Sequence, residues 1–481
     1  MTAGPLTDLE AQVRRELELT EHPNLDWMPR TEGPGGAHVY DVAIAGAGQG
    51  GVAVAFQLKR DRVANVLLFD KAPPGREGAW TTYARMPTLR SPKDYTGPDL
   101  GLPSLTYRAW HEARFGGEAW SALDLIPAAL WAEYLLWTRD VVGIAAESET
   151  ELIGIAPATA VGGPPGGLLE LCLATPGGER RVFARKLVLA TGQDGAGRWL
   201  APDHLQTLPR ERWAATADDI DFGVLGGKDV AVLGAGASAA DNAATALEAG
   251  ARSVRLFVRR RRMQRVQPYR WLTFAGFLRH YCDLDDVWRW RFMSHILGLR
   301  ESIPQPTYDR LRAFRNFEIV TGAPWDDTRM EDGRVAIRTP LGRYVADFLI
   351  SCIGMEVDFA ARPELRPFAE AILTWDDVYR PPAAEANPRL GRYPYLDENG
   401  AYREKKPGMA PFLRHIYDFT FAATMSFGAS GCSINAMNIA VPRLAAGITR
   451  ALFQEDAERH WASLQAYDTP VFVPADVDRD K

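Results

Sequence analysis

The stretch that most constrains this chain is 39–70, VYDVAIAGAGQGGVAVAFQLKRDRVANVLLFD. An apolar, β-prone run from Tyr40 to Ala45 leads straight into Gly46-Ala-Gly48-Gln49-Gly-Gly51. An alanine-rich helical stretch follows, and a second apolar run, Val66 to Phe69, ends at Asp70. Strand, glycine turn, helix and strand in that order open a dinucleotide-binding α/β unit. Gly46 permits the tight turn, Gly48 lets a pyrophosphate approach the backbone, and Gly51 permits close packing of helix on strand. The free N–H groups at the helix start complement the anion. Asp70, about 20 residues beyond the glycines, is expected to accept the hydroxyls of an adenosine ribose. Gln49 and Lys71, beside the turn and the acid, join the expected cofactor residues.

The pattern returns once. A strand-like run from Lys228 meets Gly234-Ala-Gly236-Ala-Ser238-Ala239, an alanine-rich helix follows to about Ala249, and the strand Ser253 to Val258 comes next. Two such units in one chain imply two dinucleotides. Where the second unit should carry an acid it carries Arg259 and Arg260, with Arg261 and Arg262 behind them. Guanidinium forks suit a 2′-phosphate that a carboxylate would repel, so NADPH is expected over NADH.

Between and after these units the chain reads as follows. Leu6 to about Leu19 is predicted to be an amphipathic helix, with Thr7 and Glu10 at capping-box spacing. The stretch from Trp80 to Tyr107 holds too many prolines and glycines for a regular element and is predicted to be an ordered loop. Ile126 to Val142 has helical periodicity, and two alternating stretches, Glu151 to Ile155 and Leu168 to Ala174, suggest an antiparallel meander. The meander leads to a buried strand ending at Thr191-Gly192. Met263 to Phe317, rich in aromatic and basic residues, is predicted to form packed helices covering a cleft, in preference to a membrane-surface patch, because Asp283, Asp285 and Asp286 interrupt its basic face. A further buried strand from Asp347 ends at Gly354, with Asp358 after it. Gly428 to Asn438, including Asn435, is predicted to open a last helix whose start faces the cofactor.

Composition excludes several functions. A net charge of −6 argues against a general polyanion binder such as a nucleic-acid protein. The four cysteines, Cys172, Cys282, Cys352 and Cys432, are far apart and form no CxxC, so neither a disulfide scaffold, a thiolate metal site nor a dithiol redox centre is indicated. No HExxH or Ser-His-Asp spacing stands out, and no metal is expected. Residues 1–38 lack the apolar segment of a signal peptide and no run is long enough to span a bilayer, so a cytoplasmic protein without membrane contact is expected, with self-association through the first helix open.

Gly46, Gly48, Gly51 and Asp70, then Thr191-Gly192, then Gly234, Gly236, Ser238 and Ala239 with Arg259 and Arg260, then Gly354 and Asp358, together resemble the plan of the class B flavin monooxygenases. That family includes flavin-containing monooxygenases, N-hydroxylating amine monooxygenases and Baeyer–Villiger enzymes. The likeness spans roughly Val39 to Arg450. It implies an α/β chain of two Rossmann-like domains: an FAD domain, 39–215 and 345–460, with an NADPH domain, 216–344, inserted in it, and a helical lid at 263–317. Gly78-Ala79-Trp80 is similar to the family's Gly-Gly-Thr-Trp stretch beside the flavin, with one residue missing. Met86 to Tyr107, with Lys93-Asp94, is similar to the active-site loop of the N-hydroxylases and implies an amine nitrogen as substrate. On this reading FAD takes hydride from NADPH and activates O2 at its C4a carbon, and Arg85, Arg90 and Lys93 reach the isoalloxazine or the substrate, with Arg90 and Lys93 as the catalytic candidates. Ala215 stands where such families carry a histidine, so the Baeyer–Villiger signature is absent. The alternative is an FAD and NADPH oxidoreductase that passes electrons to a protein or small acceptor without oxygenation.

Overall fold

The computed structural model describes residues 4–429 and 433–472. Two parallel-strand sheets dominate, each built on one of the glycine turns. In the first, the strand Val39–Ala45 lies between Val66–Phe69 and Gly178–Leu189, parallel to both. The long strand Gly178–Leu189 is shared along its length. Its first half pairs antiparallel with Leu168–Thr175, and its last three residues pair parallel with Ile416–Asp418. The predicted meander is therefore the antiparallel flank of this sheet, closed by Glu151–Ala158.

The helix Gln49–Arg60 buries Gly50 through Phe56 and Leu58. Burial nearly all round the helix follows from its position between the first sheet and the long helix Met437–Glu455. Each fully buried Val or Leu here stabilises the fold by about 1.5–3 kcal/mol relative to exposure.

The second sheet is all parallel, in the order Phe317–Thr321, Ser253–Val258, Asp229–Leu233, Phe348–Ser351, Trp213–Ala215. Two of these strands fall outside the expected 216–344 span. Phe348–Ser351 and Trp213–Ala215 had been placed with the first domain, and they pair here instead. Strands buried on both faces read as continuous apolar runs, and that pattern does not say which of two parallel sheets a short strand will join. A three-stranded antiparallel sheet, Asp327–Glu331, Arg334–Thr339 and Gly342–Ala346, packs beside the second sheet.

The first helix runs Pro5–Leu19 and is preceded by Gly4, with no side-chain cap. The Thr7/Glu10 capping box is thus corrected: Pro5 preorganises the first turn, and the helix starts before Thr7. Helices Pro268–Trp271, Ala275–His280, Asp286–Leu299 and Gln305–Arg312 fill the aromatic insertion. The helix expected at the end of the core begins at Met437, after a short turn Ile434–Ala436, and is followed by a further helix, Ala457–Gln465; Cys432 and its two predecessors, part of the predicted helix opening, lie outside the described residues. Among the described residues no helix is long and apolar enough to cross a membrane.

Candidate active site

At Gly46 the chain turns with φ +103°, and its N–H donates to the Phe69 carbonyl at 2.8 Å. A Cβ there would sit 2.6 Å from the Ala190 carbonyl oxygen, and one at Gly51 would lie 1.8 Å from the Gly46 oxygen. Both positions admit only hydrogen, as the turn requires. Gly48 faces Gly78, whose Cα would be 3.3 Å from a Cβ on Gly48. The Gly78-Ala79-Trp80 stretch is thereby brought against the turn, and Trp80 Nε1 donates to Gln49 Oε1 at 3.2 Å.

Asp70 is 9% exposed. Its Oδ2 accepts from the Ala47 N–H at 2.7 Å and its Oδ1 from the Ala72 N–H at 2.8 Å. Burial raises its pKa, opposed by those two N–H groups. Each oxygen keeps a lone pair for a further donor. Lys71 is paired with Asp194 at 2.9 Å. Burial works against the Asp194 carboxylate, but Lys71 and the Trp199 N–H hold its pKa below the ordinary value.

A single cavity of about 1480 Å3 joins this turn to the second unit. Its wall includes Gly46, Gly48, Gln49, Asp70, Lys71, Trp80, Thr191 and Gly192 from the first half, and Ser238, Arg259, Arg260 and Gly354 from the second. Asn435 lines it too, and its Nδ2 donates to Thr273 Oγ1 of the insertion at 3.0 Å. Gly51, Gly234, Gly236 and Ala239 lie behind the wall and shape it. A Cβ on Gly234 would meet the Cys352 carbonyl oxygen at 2.6 Å and Ala239 Cβ at 2.7 Å. Gly236 precedes the helix Ala237–Glu248, and a Cβ on it would lie 3.5 Å from the Glu301 carbonyl oxygen. Asn242 of that helix is buried and lines the cavity; its Nδ2 donates to Thr216 Oγ1 and the Ser238 carbonyl, while its Oδ1 has no protein partner.

Three expected site residues are placed otherwise. Lys93 is off the cavity wall: its ammonium donates to the Trp120 and Leu123 carbonyls at 2.9 and 2.6 Å and lies 4.9 Å from the Trp120 ring centroid. Its charge is satisfied by the aromatic cluster under the loop. Arg90 does line the cavity, but its guanidinium is held by Asp241 at 2.7 Å and Glu301 at 2.8 Å. The pair with Asp241 makes Arg90 a tie between the first-half loop and the second-half helix. Asp358 caps the turn Phe359–Ala361 and pairs with Arg198, away from the cavity. Arg85 likewise ties the halves, donating to the Thr216 and Asp218 carbonyls.

The spacing of motifs had not marked Asn242, Arg300 or Arg389, all of which line the cavity. Asn242 carried a signal, a polar residue in an alanine-rich buried helix; Arg300 and Arg389 sit in segments with no motif. Burial pushes the Cys352 thiol up to about 12, so it keeps its proton at neutral pH. Among the described residues no cluster of His, Cys, Asp or Glu is placed to hold a metal ion. The side-chain-free cradle at Gly46 to Gly51 and the cationic wall of the second half fit two phosphate-linked dinucleotides meeting in one cavity.

Residues 43–194 match a family model described as FAD-NAD(P)-binding. The chain is 38% identical over 469 residues, 97% of each chain, to the FAD-dependent urate hydroxylase of Xanthomonas campestris pv. campestris. Among solved structures it is similar to the ornithine N-hydroxylase of Kutzneria sp. 744, described with reduced FAD, NADP+ and L-ornithine (TM-score 0.66, 16% identity, 86% of this chain and 99% of that one). It is also similar to the ornithine hydroxylase of Pseudomonas aeruginosa in its reduced form (TM-score 0.66, 14% identity, 87% and 99%). At these identities the structural likeness concerns the fold.

Proposed function

The chain belongs to the family of the FAD-dependent urate hydroxylase, and from that premise we propose that it uses NADPH and O2 to hydroxylate urate or a closely related oxopurine. It is a flavin-dependent monooxygenase acting on a small molecule. The observation that carries the finer reading is the single cavity into which both glycine units open, roofed by the aromatic insertion. Hydride donor, flavin and substrate then share one space from which water can be excluded. The substrate class rests on the identity to the urate enzyme along the whole chain. The amine reading, drawn from the likeness of Met86 to Tyr107 with Lys93-Asp94, loses part of its local support, because Lys93 is turned onto the carbonyls of Trp120 and Leu123.

Bound FAD would supply hydride acceptance and oxygen activation, with the overall balance substrate + O2 + NADPH + H+ giving hydroxylated substrate, H2O and NADP+. Urate has no C–H bond, so the new C–OH forms at a ring carbon of its C=C bond while a ring N–H proton is lost and the double bond moves to C=N. The residues of the chain position the parts. N–H groups following Gly46 and Gly48 hold the flavin pyrophosphate, and the free lone pairs of Asp70 take the ribose hydroxyls. Gln49, Trp80, Thr191, Gly192 and Asn435 border the flavin, while Ser238, Arg259 and Arg260 receive the NADPH phosphates. Arg85 and Arg90 hold the two halves in register. The division into an FAD domain and an inserted NADPH domain belongs to this reading, with the two exchanged strands described above. So do cytoplasmic action, supported by the free thiols of Cys172, Cys282 and Cys352, and self-association.

The test is turnover with purified, FAD-loaded enzyme under 18O2. Urate should stimulate NADPH oxidation and yield a product carrying one labelled oxygen, with L-ornithine and L-lysine inert. Stimulation by ornithine alone would overturn the substrate, and NADPH oxidation stimulated only by redox proteins, without labelled product, would restore the reductase alternative.

A further inference from the structure

Arg300 follows the insertion helix Asp286–Leu299 and stands where helices commonly end in glycine. Its backbone has φ 62° and ψ 174°, a region that residues with a Cβ rarely occupy. Its guanidinium opens onto the cavity and donates to the Ile353 carbonyl at 2.9 Å, next to Gly354. Around it stand three more arginines of the cavity wall. Arg260 donates to the Gly298 carbonyl at 3.0 Å and Arg389 to the Met355 carbonyl at 3.3 Å, with Arg259 beside them. Among the described residues none of the four forms an ion pair with a carboxylate. Desolvation, followed by the charges of Arg389, Arg259 and Arg260, lowers the pKa of Arg300. All four residues are solvent-exposed, so their repulsion is screened and the strained backbone of Arg300 is the main cost at this edge of the ligand cavity.

A fold tolerates such a residue where a bound partner repays it. A monoanion such as urate would neutralise one of four guanidinium groups, whereas a nicotinamide dinucleotide phosphate brings a pyrophosphate and a 2′-phosphate together. We propose that Arg300 and Arg389 complete, with Arg259 and Arg260, a four-guanidinium seat for the phosphates of the nicotinamide dinucleotide, Arg300 being held for that role in a strained backbone conformation. This rests on the NADPH reading above. The seat is drawn from three separate segments: the end of the second unit's strand, the end of the insertion helix, and the Pro388–Gly391 turn. It makes dinucleotide affinity depend on residues that no Rossmann motif contains.

The experiment uses flavin-loaded enzyme without nicotinamide, melted thermally and titrated with NADP+ and NAD+ by the perturbation of the flavin spectrum. Arg300→Gly should melt a few degrees above the parent, because glycine adopts this backbone without strain. Arg300→Gly, Arg300→Gln and Arg389→Gln should each raise the NADP+ dissociation constant about tenfold or more. Unchanged NADP+ affinity in Arg300→Gln and Arg389→Gln, with the parent binding NADP+ well, would overturn the seat alone. A lower melting point for Arg300→Gly would overturn the strain and make Arg300 a structural clamp. Failure of the parent to bind NADP+ would remove the cofactor reading, and this inference with it.

Discussion

Gly51 and Ala239 hold the same place in the two dinucleotide units, yet only one carries a methyl group. In the first unit the Gly46 carbonyl reaches to 1.8 Å from where a Cβ on Gly51 would be. In the second, the methyl of Ala239 fits, and Gly234 must lack a side chain because its Cβ would stand 2.7 Å from that methyl. Both units clear the first position for a carbonyl oxygen 2.6 Å from where a Cβ would be, that of Ala190 in one and of Cys352 in the other, and they differ in the third, which holds hydrogen in one and a methyl group in the other. The strand ends differ too: a carboxylate, Asp70, in one, and two guanidinium groups, Arg259 and Arg260, in the other. The pair teaches that a shared backbone turn sets what can be bound, a phosphate-linked nucleotide, while one side chain past the second strand sets which.

The comparison breaks most severely at the glycine. Gly51→Val drives side-chain atoms into a backbone carbonyl that cannot rotate away, and should abolish flavin content and soluble expression, beyond the usual 1–3 kcal/mol of overpacking. Ala239→Gly, the reverse change, should cost only about 1 kcal/mol of helix propensity and leave nucleotide binding intact. Flavin absorbance per protein and melting temperature read both. If Gly51→Val keeps its flavin, the contact has been misjudged.

Next in size is the charge contrast. Arg259→Ala and Arg260→Ala should each weaken NADPH binding about ten- to a hundredfold and leave NADH almost unchanged, since a charge-assisted phosphate contact is worth about 1.5–3 kcal/mol. Titration with both nucleotides checks it, and equal losses would mean that the arginines do not read the 2′-phosphate.

The tie between the halves comes third. Arg90→Ala leaves the Asp241 carboxylate, 3% exposed, with Thr307 as a hydrogen-bond donor at 3.0 Å and Arg310 as its remaining cation at 3.6 Å. A loss of about 1–3 kcal/mol in stability should follow, with flavin content retained. A role in oxygenation would instead show as lost product per NADPH consumed at unchanged stability, a result that would return Arg90 to the catalytic set.

The most gradual effect separates the two halves by pH. In the first, burial, then the charges of Lys186, Arg414 and Arg185, hold the His415 pKa far below its ordinary 6.5. His415 is thus neutral when folded, while the unfolded chain takes up a proton below 6.5. Stability should fall as pH drops through that value, by at most about 1.4 kcal/mol per unit. In the second half, Arg252, with Ser253 and Arg334 also bonded to it, depresses the pKa of Asp229 below 3.8. That stabilisation is complete above 3.8 and is lost only as pH falls further. Denaturant melts across pH should therefore show His415→Gln flattening the limb from 6.5 to 4, and Asp229→Asn lowering stability at neutral pH while flattening only the limb below 4.

The helices of the aromatic insertion were legible in the sequence because an aromatic helical pattern is a local signal, and the helix expected to open at Gly428 and run to about Leu452 starts at Met437 and ends at Glu455. The short strands were less legible. Phe348–Ser351 reads as part of an apolar run and Trp213–Ala215 carries no strand signal, yet their sheet is settled by partners distant in the chain: Phe348–Ser351 pairs with Asp229–Leu233, and Trp213–Ala215 pairs in turn with Phe348–Ser351. Lys93 and Arg90 were singled out for their charge, and charge alone could not reveal that Trp120, Leu123 and Asp241 would satisfy it.

By itself the sequence determined the two glycine turns, their helices and the sign of charge past each second strand, since each is a demand made by backbone sterics and one side chain on near neighbours. Tertiary structure alone decided which cations are tied to other groups of the protein. Lys93 and Arg85 reach carbonyls 27 and more residues away and Arg90 crosses 151 residues to Asp241, whereas Arg259, Arg260, Arg300 and Arg389 converge on the cavity wall from three segments and, among the described residues, pair with no carboxylate. Coulomb interactions act through space, so their outcome depends on a juxtaposition that only the packed chain creates.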